Sequence, residues 1–331
     1  YDANLKTLME QTKNDLSVAV EDINTKLDQL SELNSSIAHE IFSNNDYDGV
    51  NYGPNDLLDQ RNVILDDLSR YGDVQVTDLE DGKIQVKING KVVVDASGAS
   101  YTNDKLNIGS DGVTLTWNSN NQNANLGAGA IRGFTDMLTG ADPINAGIPY
   151  YQNKMDNFAQ TLADVFNNKI HADDPDFPDK YKFLLQGGVD GKVTAGNISI
   201  SDQWADDVSY IIRKQNPDGE LDNQDILDMK AAFEQDFNFG GEYTGTFSEF
   251  ITSVTNTLGS GIKTNSARMS ASLAIAESAD SERMGVSGVS LNEEGISMMT
   301  YNKAYQALGR LMTTMDEQLD MIINKMGIVG R

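Results

Sequence analysis

Two histidines, His39 and His171, are the only imidazoles in a chain of 331 residues with no cysteine. A nucleophilic triad needs a base beside its nucleophile, so at most two places could host one. His39 sits between Ala38 and Glu40 on the polar side of a long helical pattern and reads as a surface residue. His171 opens HADDPDFPDKY (His171 to Tyr181), where carboxylates crowd a histidine, but the prolines make this an extended loop whose ligands are not preset. A solvated acidic loop is the favoured reading over a metal site. NPDGELDNQDILD (Asn216 to Asp228) looks like part of a calcium loop, yet aligning Gly219 with the obligatory glycine puts Lys214 where the first carboxylate belongs and Asp225 where a bidentate Glu belongs. It reads instead as a turn, with Asp222 or Asn223 capping a helix from Asp225 to Phe237. GAGAIRG (Gly127 to Gly133) fits neither the dinucleotide nor the Walker pattern and reads as a tight turn into a helix. Met298, Met299, Met312, Met315, Met321 and Met326 could offer soft thioether ligands, but methionine is also adaptable packing material, and packing is the reading adopted. Nothing marks a pair among the acidic residues for glycoside hydrolysis. No catalytic, cofactor or metal site is expected.

Composition narrows the partners. Lys+Arg 25 against Asp+Glu 50 gives a net charge of -25, which repels nucleic acid and anionic membrane. No apolar run is long enough to span a bilayer, and Tyr1 opens a polar segment without the regions of a secretory signal.

The elements that organise the chain are two apolar stripes, one near each end. Met298, Tyr301, Tyr305, Leu308, Met312, Met315, Leu319, Ile322 and Met326 advance in alternating steps of three and four, the spacing of a coiled-coil or bundle seam. Lys303, Arg310, Asp316, Glu317, Asp320 and Lys325 fall between them and face water. Ser290 with Glu293 reads as a capping-box start, and Gly327 with the residues after it as a stop. Over 3 to 43, Met9, Leu16, Val20, Ile23, Leu27, Leu30, Ile37 and Ile41 keep the same stepping, broken by Lys13 and Asn34. The two seams can pack side by side.

Between them the period changes. A turn-rich stretch, Ser43 to Asp56, ends the first helix, and Asn55 or Asp56 caps a short one through Leu68. From Gly72 to about residue 118, Val74, Val76, Ile84, Val86, Ile88, Val92 and Val94 alternate with polar neighbours, with turns at Asp81-Gly82, Asn89-Gly90 and Asp111-Gly112. A helix over 149 to 169 buries Met155, Phe158, Leu162, Val165 and Phe166. Phe183 to Ile200 reads as a short hairpin with Val193, Ile198 and Ile200 inward, and Phe247 to Leu258 as an amphipathic helix. Met269, Leu273 and Ala276 carry a weaker seam up to a hinge at Gly285 to Gly288. The fold class is α+β: a long helical coiled-coil or bundle shaft built from both chain ends, with an inserted antiparallel β-rich lobe. The expected divisions are 1-70 (N-terminal shaft helices), 71-135 (β-rich subdomain), 136-263 (mixed, with a hairpin at about 183-202), 264-285 (shaft helix) and 286-331 (C-terminal assembly helix).

Several stretches carry a family resemblance. VSGVSLNEEG (Val286 to Gly295), YNKAYQALGRLMTTMDEQLDMIIN (Tyr301 to Asn324), the closing GIVGR, DINTKLDQLSELNSSIAHEI (Asp22 to Ile41), the DLLDQR motif at Asp56 to Arg61, and YYQNKMDNFAQTLADVFNNKIH (Tyr150 to His171) together resemble the bacterial flagellar hook-associated protein 1 family, the hook-filament junction proteins. The resemblance implies a non-enzymatic, self-assembling, extracellular part of the bacterial flagellum, exported unfolded through the flagellar type III apparatus. It also implies three partners: the hook protein, hook-associated protein 3, and an export chaperone on the C-terminal helix. It implies a further N-terminal segment ahead of Tyr1 that pairs with that helix. The stripe from Met298 to Met326 is therefore expected to pack on another chain, and solvent exposure of the whole stripe counts against that reading. Two alternatives stand beside it. One is an adhesin or glycan-binding module on a helical shaft, favoured by a concave aromatic cluster near Trp117; the other is a small hydrolase in the lobe, favoured by carboxylates converging in a pocket.

Overall fold

Helix α1 (Asp2–Asn44) runs for 43 residues because nothing interrupts it: the segment contains neither glycine nor proline. Leu16, Val20, Ile23, Leu27, Leu30 and Ile37 are buried along one side, as the three-four spacing requires. The computed structural model describes residues 1–44, 54–96, 102–170, 183–188, 191–206, 219 and 222–325. The loop from His171 to Tyr181, Met326 and the closing GIVGR lie outside them. The chain divides into two units, Tyr1–Thr255 and Asn256–Arg331.

Within Tyr1–Thr255 the α1 stripe is covered by the β-rich lobe and two shorter helices. Strands β1 (Val74–Asp78), β2 (Ile84–Ile88), β3 (Lys91–Asp95) and β4 (Thr102–Asn103) form an antiparallel sheet in that order, and β5 (Leu106–Ile108) pairs with β6 (Leu115–Trp117) as a separate ribbon. Ile84, Val86 and Ile88 alternate inward, and with Val94, Leu106, Leu115 and Trp117 they meet the α1 residues in one core. Leu68 of α2 (Asn55–Ser69) and Ile131 and Leu138 of α3 (Gly129–Thr139) complete it. The Asn89-Gly90 turn has positive φ at both residues, 50° and 79°, the geometry a two-residue hairpin demands.

Asn34, which interrupts the stripe, is fully buried. Its Nδ2 donates to the Ile84 carbonyl at 2.9 Å and its Oδ1 accepts from the Ile84 N–H at 3.1 Å. Asn24 holds Leu106 in the same way, at 2.9 Å each. Ile84 lies at the end of β2, before its pairing with β3 begins, and Leu106 on the free side of the β5–β6 ribbon; buried N–H and C=O groups there must be satisfied somewhere, and α1 supplies two side-chain amides that do it. The polar break thus fixes the register of a helix against a strand. The other break, Lys13, leads its ammonium to Glu10 at 3.1 Å, while its stem passes so close to Gly112 that a Cβ there would lie 3.2 Å from Lys13 Cδ.

Helix α2 is capped by Pro54 without a side-chain bond, so neither Asn55 nor Asp56 plays the expected capping role. Arg61, the last residue of DLLDQR, donates from Nη1 to the Gly82 carbonyl at 2.6 Å and ties α2 to the turn between β1 and β2. Entry into α3 is a tight turn: Gly129 has φ 79° and passes so near Tyr71 that a Cβ would lie 2.3 Å from its carbonyl carbon.

Helix α4 (Ile148–Lys169) buries Ala159, Ala163 and Val165, with Phe158, Leu162 and Phe166 partly buried beside them. The expected hairpin is β7 (Leu185–Gln186) paired with β8 (Ser199–Ile200); Val193 is buried but Ile200 is exposed, because it sits at the strand's free end before α5 (Asp202–Asp206). Helix α6 is shorter than expected, Gln224–Ala232, and Phe237 belongs instead to β9 (Phe237–Phe239), paired with β10 (Tyr243–Gly245). Asp222 Oδ1 accepts from Gln224 N at 2.9 Å at its start. The Gly240-Gly241 turn joins these strands, and Lys154 of α4 pairs with Glu242 beside it. Phe158, Phe239, Phe247 and Phe250 form a second core, with Phe239 stacked on Phe250 at 4.3 Å. Helix α7 (Phe247–Ser287) starts there on a reciprocal capping box: Thr246 N donates to Glu249 Oε2 at 2.9 Å and Glu249 N donates to Thr246 Oγ1 at 3.2 Å. The sequence pattern split this segment into two helices; it is continuous to Ser287.

Candidate functional site

Helix α8 (Leu291–Asp320) begins where α7 is forced to stop. Gly288 N donates to the Met284 carbonyl at 2.8 Å, and a Cβ on Gly288 would lie 2.3 Å from that oxygen. Ser290 then caps α8, its side chain accepting from Glu293 N at 3.4 Å, and Glu293 and Glu294 place negative charge on the positive end of the helix dipole. Thr300, Thr313 and Thr314 return their hydroxyls to carbonyls one turn back, so these polar side chains need no outside partner. A π-helical turn, Met321–Lys325, follows.

Met298, Tyr301, Tyr305, Leu308, Met312, Met315 and Leu319 lie on α8, and Ile322 lies in the π turn. Their exposure runs from 53% at Leu319 to 78% at Tyr305. Met326 lies outside the described residues. No residue of α8 is buried, so among the described residues of Asn256–Arg331 nothing covers the stripe. Ala304 and Leu311 border the stripe on one side, and Leu311 is 55% exposed. They were missed because they fall outside the strict three-four series; they widen the apolar face to three positions per heptad only through the middle of the helix, since Ser297 and Gln318 hold the equivalent places on either side. Met269 and Leu273, the weaker seam of α7, are exposed as well.

The other sites weighed from sequence come to rest as follows. Among the described residues no group of three or more His, Cys, Asp or Glu is placed to hold a metal ion, and His39 is exposed. Trp117 is buried in the main core and Trp204 packs with Ile170 and Met229, so among the described residues neither tryptophan offers the aromatic surface that would favour a glycan-binding lobe. Asp104, nearly buried, accepts from Ser119 N at 2.9 Å, from Ser119 Oγ at 2.5 Å and from Lys91 Nζ at 3.2 Å. Burial alone would raise its carboxyl, but these donors together hold it below the usual range. Thr114 and Val113 bring Asp111 to about 2. Both carboxylates secure turns of the lobe, a structural task. No helix of the described residues is long and apolar enough to cross a membrane.

The model of the family described as flagellar hook-associated protein FlgK, helical domain, matches residues 1–179, more than half of the chain. The chain belongs to the FlgK family. The matched span runs from α1 to beyond α4 and so contains the α1 stripe, its two asparagine clasps, the DLLDQR helix and the β lobe. A second match, to the C-terminal segment of the flagellar basal body rod FlgEFG proteins, covers residues 281–325, which holds the break at Gly288 and the whole described part of the exposed stripe. Flagellar hook-associated protein 1 of Bacillus subtilis (strain 168) is 26% identical over 364 aligned positions, covering 99% of this chain and 68% of the relative. The exposed stripe thus lies in the segment matched by the FlgEFG C-terminal model, outside the FlgK helical-domain match.

Proposed function

We propose that this chain is a structural protein of the bacterial flagellum that forms the junction between hook and filament, and that it assembles by bundling its C-terminal helix with helices of neighbouring copies. The observation that supports this most directly is the three-four apolar series from Met298 to Ile322 lying in the segment similar to the FlgEFG C-terminal region; the described stripe is exposed in the single chain, which holds no neighbour to cover it. A helix of 30 residues with one apolar side gains little by standing alone in water, and gains its stability by laying that side against others. Met298, Tyr301, Tyr305, Leu308, Met312, Met315, Leu319, Ile322 and Met326 are the proposed contacts. Methionines suit a place where neighbours are related but not identical.

The proposed division keeps 1-70 as N-terminal shaft helices, 71-135 as the β-rich subdomain, 136-263 as a mixed region, 264-285 as a shaft helix and 286-331 as the assembly helix. The hook protein on one side, hook-associated protein 3 on the other, and a chaperone holding the C-terminal helix before export are the partners this reading requires. It requires passage through the flagellar type III apparatus as well, with the protein ending outside the cell. Its action is physical, with no bond made or broken. Adding the purified protein to hook-bearing cells that lack their junction protein tests the reading: restored filament growth is the expected result, and hooks that stay bare contradict it.

A further inference from the structure

The two units expose their thioethers very differently. Of the 12 methionines, Met9, Met137, Met155 and Met229 lie in the first unit, which leaves eight in the second. Met229 is 8% exposed, Met9 and Met155 are partly buried, and the sulfur of the more open Met137 accepts from Thr12 Oγ1 at 3.8 Å. On the α8 stripe, Met298, Met312 and Met315 are 64%, 72% and 56% exposed. Oxidants that take two electrons react first with the softest nucleophile they can reach. A thiolate would intercept them, but the chain has no cysteine, and both tryptophans are buried. The reaction therefore falls to the open thioethers, and those are concentrated where the chain is read as assembling.

We propose that Met298, Met312 and Met315 form an oxidation site for hydrogen peroxide and related two-electron oxidants, and that sulfoxide there keeps a copy out of the bundle. A sulfur lone pair takes one peroxide oxygen: the S–O bond forms as the O–O bond breaks, and the proton on the transferred oxygen passes to the departing hydroxide, which leaves as water. Sulfur is oxidised by two electrons and the peroxide is reduced by two. The product is a polar, chiral side chain in place of a flexible apolar one. Buried in an apolar seam, its oxygen needs a donor. Thr313 and Thr314, which stand between Met312 and Met315 in the chain, already donate to the Gly309 and Arg310 carbonyls. The proposal rests on the bundling reading, which supplies the apolar contact that the sulfoxide spoils. Bundling also covers the same sulfurs, so the reaction belongs to the chain before it is incorporated.

The full chain is treated with hydrogen peroxide, peptide mass spectrometry reads the added oxygen at each methionine, and the product is given to hook-bearing cells that lack their junction protein. Met298, Met312 and Met315 should gain oxygen several-fold faster than Met229. Filament growth should fall several-fold at an unchanged melting temperature, and methionine sulfoxide reductase acting on the same sample should restore it. Met298→Leu/Met312→Leu/Met315→Leu/Met326→Leu keeps the side chains apolar and near their original volume, and should support filaments equally with and without peroxide. Full growth from protein carrying the three sulfoxides, no recovery once the reductase has removed them, or a leucine variant that peroxide disables as fully as the unsubstituted chain overturns the proposal while leaving the junction reading intact. The reductase comparison uses the unsubstituted chain throughout, so it does not depend on how the leucine variant assembles. Failure of the untreated protein to support filaments counts against the junction reading instead.

Discussion

Asn34 shows how one amide decides the relation between helix and sheet. Replacing it by alanine leaves the N–H and C=O of Ile84 buried without partners, and two such groups cost about 3 kcal/mol; Asn34→Ala should lower the urea midpoint accordingly, with Asn24→Ala, at a less buried site, costing less. From sequence Asn34 was legible as a polar break in an apolar stripe, but its partner was not: an amide at a seam position looks the same whether it will meet another helix or a strand. Asp104 gives a residue-scale pH dependence. Its folded pKa lies below the unfolded value of about 3.9, so its contribution is fully present above that value and is lost as pH falls through the folded one. Melting temperature measured from pH 6 down to pH 2 should fall more for the unsubstituted protein than for Asp104→Asn, which starts lower and has less to lose.

At the scale of elements, two glycines with the same positive φ make a useful contrast. Gly90 has φ 79° with open space around it, whereas Gly129 has φ 79° with the Tyr71 backbone in the way. Gly90→Ala should cost about 1 kcal/mol, the strain of the left-handed conformation alone. Gly129→Ala should cost clearly more, because α3 must move away from the lobe to make room, and chemical denaturation of the two variants side by side reads the difference. The Asn89-Gly90 hairpin and the alternation around it were readable from the residues because turn chemistry and period agree there. The β9–β10 hairpin was not, since strands of three residues are too short to show a period, and Phe237 looked like the end of a helix; the Gly240-Gly241 pair was the signal that could have found it. The continuity of α7 was hidden by its glycine-, serine- and threonine-rich middle, a composition that lowers helix propensity without breaking this helix.

For the whole molecule, the two units treat their apolar stripes differently. The first unit closes its stripe over a core of sheet and short helices, while α8 leaves its stripe open. The stripe itself was legible in the three-four spacing; which stripe would be closed within the chain was not, because both read alike until the lobe is placed on α1. Since no α8 residue is buried, substitutions on the stripe should leave the monomer's stability nearly unchanged while removing its capacity to assemble. The measurement that tests this most directly is filament growth on hook-bearing cells lacking their junction protein, supplied either with the unsubstituted chain or with Leu308→Asp/Met315→Asp, whose melting temperature is read in parallel. Full growth with the first, bare hooks with the second, and melting temperatures within a degree or two are the predicted results; filaments of normal number and length on the doubly substituted protein would contradict the account.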